Sequence, residues 1–119
     1  MKAEDILLKF LKAKHYIEDI EKARKEVVAA KVILRKETDL FIRDAITGIG
    51  TILEENLELH YYITTVKTGV FGNVLTQAII LRSDQEAQIV VHAHEGLIKQ
   101  HLGEKTIQKL KLKLEQSHR

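Results

Sequence analysis

Cysteine, proline and tryptophan are all absent from the 119 residues, and methionine occurs once. Without cysteine there is no disulfide framework, no thiolate zinc site, no iron–sulfur cluster and no cysteine nucleophile. Without proline there is no proline-rich linker, and nothing of that kind interrupts a long element. Serine is confined to Ser83 and Ser117, and neither lies in a nucleophile elbow. Aromatic residues make up only 5% of the chain, and all six fall between Phe10 and Phe71. Long apolar runs are missing too. The longest stretch without a charge, Thr68 to Leu81, falls short of the ~20 residues that cross a bilayer. The first residues, Met1-Lys2-Ala3-Glu4-Asp5, carry acids where a signal peptide carries positive charge. A cytoplasmic protein without a membrane partner is expected.

What remains is a composition of 45% hydrophobic and 30% charged residues, that of one globular domain spanning 1–119. The net charge of +2 conceals a pattern. Residues 1–36 hold ten Lys/Arg against six Asp/Glu, residues 37–96 hold three against nine, and residues 97–119 hold six against two. Basic ends flank an acidic middle, which favours association between complementary segments.

Periodicity suggests an α+β fold in the order α-α-β-β-β-α. Ile6, Phe10, Ala13, Ile17, Ile20, Arg24, Val27, Lys31 and Leu34 step by threes and fours, the spacing of a helical seam, and no glycine interrupts residues 3–36. One long N-terminal helix in residues 1–36, unbroken from 3 to 36, would run about 51 Å at ~1.5 Å per residue. A domain of this length is only roughly 35 Å across. Such a helix would project, and its apolar stripe would need a partner. Ile6, Phe10, Ile17, Ile20 and Val27 are therefore the expected interface of a homodimer or higher oligomer.

Thr38-Asp39 is suited to cap a second helix, with apolar residues at helical spacing from Phe41 to Leu53. Leu57–Thr68, Val74–Arg82 and Ala87–His94 are rich in β-formers and suggest a three-stranded antiparallel meander. A two-residue turn at Asp84-Gln85 would pair Ile80 with Ile89, Ala78 with Val91 and Gln77 with His92. Glu104–Arg119 is expected to form a basic C-terminal helix.

Three constellations could carry chemistry. His92 and His94, two apart on a strand, face the same way and could ligate zinc or another divalent metal, with His60, Glu95 or His101 as third ligand. Lys105, Lys109, Lys111 and Lys113 form a basic patch that could follow nucleic-acid phosphates, although no aromatic residue lies nearby for base stacking. Gly48-Ile49-Gly50 lacks the third glycine and preceding strand of a dinucleotide loop, and suits close packing or a kink instead. The third strand offers Glu86-Ala87-Gln88 without the lysine of a nuclease D/E-x-K strand. The expected role is a non-enzymatic interaction or regulatory module with no resident cofactor, acting as a homo-oligomer. A metal-binding protein and a nucleic-acid binder are the alternatives.

Overall fold

The seam in the N-terminal third breaks after thirteen residues. In a computed structural model, which describes residues 2–36, 38–68, 74–94 and 101–115, helix α1 spans Ala3–Ala13, helix α2 spans Ile20–Arg24 and strand β1 spans Val27–Ile33. His15 takes a left-handed conformation (φ 64°) at the break. Asp19 restarts the chain as α2, its carboxylate accepting from the Glu21 and Lys22 N–H groups at 3.0 and 3.3 Å. Arg24 then binds Glu4 and Asp5, tying α2 back onto α1. The single long helix expected over residues 1–36 is therefore not present. Val27, Val28, Val32 and Ile33 are β-branched, and the antiparallel ladder with strand β5 (Glu86–His92) gives them a partner no helix would have supplied.

Helix α3, Asp39–Thr47, begins at Thr38 as anticipated, with the Thr38 hydroxyl accepting from the Phe41 N–H at 3.1 Å. It stops at Gly48 rather than running on to Leu53, and strand β2, Gly50–Asn56, follows. Glycine is required at position 50, because a Cβ there would lie 1.8 Å from the Thr65 carbonyl oxygen. Strands β3 (Tyr61–Thr68), β4 (Val74–Ser83) and β5 and the 13-residue helix α4 (Leu102–Leu114) complete the chain. The sheet has five antiparallel strands in the order β1-β5-β4-β3-β2. The expected three-stranded meander is only its centre. The register of β4 and β5 is the one the Asp84-Gln85 turn dictates, including Ile80 opposite Ile89 and Gln77 opposite His92.

Both faces of this sheet are apolar, and each has its own cover. Tyr62, Val66, Ala78, Ile80, Ile89 and Val91 pack beneath Ile42 and Ile46 of α3 and Leu110 and Leu114 of α4. On the opposite face Ile63, Ile79 and Val90 pack beneath Ala3, Leu7, Leu8 and Leu11 of α1. Each fully buried aliphatic side chain contributes about 1.5–3 kcal/mol. Ile6, Phe10, Ile17, Ile20 and Val27, the expected interface, lie half-buried around this second cluster. The folded chain measures 39 × 31 × 20 Å, with a radius of gyration of 13.5 Å. No helix among the described residues is long and apolar enough to cross a membrane.

Gly50→Ala should destabilise the fold by more than about 2 kcal/mol, since the added methyl meets backbone rather than a movable side chain. A chemical denaturation midpoint equal to that of wild type would show that β2 does not approach β3 so closely.

Candidate functional site

The antiparallel ladder continues one residue beyond the end of β5, where the Ala93 N–H donates to the Glu26 carbonyl at 3.5 Å. That contact brings Glu26, just ahead of β1, beside the histidines on either side of Ala93. His92 Nε2 lies 3.3 Å from Glu26 Oε1, and His94 Nδ1 lies 2.8 Å from Glu26 Oε2. His92 is 5% exposed, and its Nδ1 is buried without a hydrogen-bond partner among the described residues. His94 is open to solvent, with 76% of its side chain exposed. A small cleft of about 210 Å³ adjoins the three, walled also by Tyr16, Asp19 and Lys22.

Burial alone would raise the Glu26 pKa. Hydrogen bonds from His94 and His92, together with their positive charge, outweigh it and hold the carboxyl below its ordinary value. Sequence spacing could not reveal this partner, because Glu26 lies 66 residues from His92. The arrangement clamps the start of β1 to the end of β5. As a metal centre it is incomplete: the two imidazoles address different carboxylate oxygens. Among the described residues, no group of three or more His, Asp or Glu is placed to hold a metal ion.

The other suggested ligands lie elsewhere. His60, in the turn before β3 with φ 58°, has its Nδ1 2.9 Å from Arg82 Nη2, five residues along β4 from the partner of His92. His101 precedes α4 in a left-handed conformation, its Nδ1 3.9 Å from Glu104. Glu95 lies outside the described residues. The basic patch is divided as well. Lys109 Nζ donates to the Lys67 carbonyl at 2.5 Å, and Lys113 Nζ lies near Gly48, both towards β3 and α3. Helical spacing puts Lys105 on their line and Lys111 on the opposite flank.

A second feature adjoins the clamp. The Leu34 N–H donates to Gln85 O and the Ala93 N–H to Glu26 O, so the even-numbered residues of β1 bond to β5. The N–H and C=O groups of Val27, Ala29 and Lys31 therefore face outward, and no described residue pairs with them. The far edge of the sheet differs. β2 is interrupted by a bulge between Ile52 and Glu54 and carries Glu54 and Glu55, bound to Tyr61 and Arg43. Those features blunt an edge. β1 runs unbulged with Lys31 as its sole charge; among the described residues its outer side is covered at its end, where Glu115 bridges Leu34 and the Arg35 N–H donates to the Leu114 carbonyl at 2.9 Å. The strand's β-branched content was the local signal for it.

No protein-family model, curated protein or solved structure matches this chain.

Because the Glu26 pKa is depressed, its contribution to stability is fully present above the ordinary carboxylate value and is lost as pH falls through the folded-state value. Glu26→Gln should therefore be less stable than wild type at neutral pH, with the gap narrowing on acidification below about pH 4.5. Thermal melts of both proteins across that range test this. A gap independent of pH would mean that the clamp is not ionic.

Proposed function

We propose that this chain is a non-enzymatic interaction module that binds another polypeptide by strand addition along β1. The observation that carries the reading is the unbulged edge at Val27, Ala29 and Lys31, which no described residue pairs with. Unpaired strand edges template further strands, and main-chain hydrogen bonds then supply the affinity. Exposed Ala29 and Ile33 flank the same edge, and Ile33 alone is 52% exposed. An added strand would cover both. On this reading the Glu26–His92–His94 clamp holds the first residues of β1 in place, so the edge is presented already ordered. The helical stripe around Ile17 lies half-buried against the core cluster under α1, and on this reading the sheet edge is the contact surface.

Proline at position 29 or 31 removes an outward N–H while leaving the ladder to β5 intact. Extended peptides selected on the wild-type protein from a random display library should bind Ala29→Pro or Lys31→Pro at least tenfold more weakly. They should bind Ala29→Ser normally. Circular dichroism melts would confirm that the proline variants stay folded. Selected peptides indifferent to both prolines, in folded protein, would overturn the proposal.

A further inference from the structure

We infer that Arg82 is a proton-sensitive latch, holding the turn before β3 while His60 is uncharged and passing to Asp39 when His60 takes up a proton. The latch lies towards the other end of β4 from the Glu26 clamp and does not depend on strand addition along β1. A guanidinium carries only N–H donors and no acceptor. The 2.9 Å contact between Arg82 Nη2 and His60 Nδ1 therefore requires a bare nitrogen at Nδ1, with the imidazole proton on Nε2. The Arg82 backbone N–H also donates to the His60 carbonyl, at 2.8 Å. Both bonds hold His60 in its left-handed conformation (φ 58°), which a residue with a side chain keeps only where its surroundings fix it.

A protonated imidazole presents a donor at Nδ1 and a positive charge, and both oppose the guanidinium. Arg82 has another partner within reach. Its Nε is buried, has no hydrogen bond among the described residues, and lies 3.9 Å from Asp39 Oδ1, an ion pair not yet closed to a hydrogen bond. Asp39 is the first residue of α3, and its Oδ1 already accepts from the Tyr62 hydroxyl at 2.9 Å. Burial and that bond hold the Tyr62 phenol well above its ordinary pKa, so it remains a donor and does not compete for Arg82 as an anion. The other charges on the packed elements are already engaged or wet. Arg43 of α3 is taken up by Glu55 of β2, and Glu58 and Asp84, in the adjoining turns, are exposed and screened by solvent. Arg82 thus has two discrete settings, and the charge on His60 biases the choice between them. Set on His60, it pins the turn at residues 57–60 to β4. Set on Asp39, it ties the start of α3 to β4 and releases that turn, which displays Leu57 and Leu59 at 48% and 44% exposure.

Amide hydrogen exchange on the wild-type chain, followed by NMR, tests the latch. From about pH 7.5 to about pH 5.5, protection of the Arg82 amide, corrected for the intrinsic pH dependence of exchange, should fall about tenfold or more. Protection of Ile79 and Ile80, in the middle of β4, should hold. The Arg82 Nε–H resonance should move over the same range as Nε closes on Asp39. His60→Asn puts an oxygen acceptor that does not titrate in place of Nδ1, and asparagine tolerates the left-handed conformation. In that variant both the Arg82 protection and the Nε–H resonance should stay constant. Wild-type protection that does not change with pH would overturn the latch. So would an equal loss in His60→Asn, or an equal loss at Ile79 and Ile80, which would mean that acid loosens the whole sheet. Loss at the Arg82 amide with an unmoved Nε–H resonance would overturn the transfer to Asp39.

Discussion

The structure depends on covering a five-stranded sheet that is apolar on both faces. Residues 61 to 66 of β3 are buried without exception, so this strand shows no inside–outside alternation and has no face to give to water. One layer of helices cannot satisfy such a sheet. α3 and α4 take one face, and the N-terminal third must fold back as α1 and α2 over the other. A projecting N-terminal helix would have left Ile63, Ile79 and Val90 uncovered. The break at Lys14–Asp19 follows from this need, since only a short α1 lies along the central strands while leaving chain to form β1.

Covering two faces with 119 residues leaves little for the edges, and the two edges are treated unequally. β2 is bulged and acidic, whereas β1 is straight and nearly uncharged. The Glu26 clamp lies at the start of the exposed edge, so the most distinctive polar cluster and the most distinctive surface adjoin each other. Charge follows the same logic. Arg24 pairs with Glu4 and Asp5 inside the basic N-terminal segment, and Arg43 and Arg82 pair with Glu55 and Asp39 inside the acidic middle. Among the described residues, the ion pairs joining basic ends to acidic middle are those of Glu26 with His92 and His94.

What could be read in advance was local. Thr38 caps α3 through its own hydroxyl, and the β4–β5 register follows from a two-residue turn between alternating segments. Ile107, Leu110 and Leu114 bury the inner face of α4 although Lys109–Leu114 alternates like a strand. Residues 27–33 and 50–56 suggest helix by spacing and form strands instead, for a shared reason. Val27 and Leu34, like Ile49 and Leu53, satisfy helical spacing, yet each segment also contains residues that suit a strand. Local preference left the two nearly balanced, and pairing with β5 and β3 tipped them. Glu26 carried no signal, because the ladder that brings it to the histidines is made by a strand near the other end of the chain.

By itself the sequence determined the α+β class, the central hairpin, the start of α3 at Thr38, a helix in the basic C-terminal segment, and the exclusion of thiol and disulfide chemistry. These rest on composition and on contacts between residues close in the chain. Tertiary structure alone decided that the N-terminal third is two short helices and a strand, that Glu26 joins His92 and His94, and that β1 is an edge strand. Each of these depends on which strand finds which neighbour. That choice is made by burying both faces of the sheet at once, a condition no single stretch of residues contains.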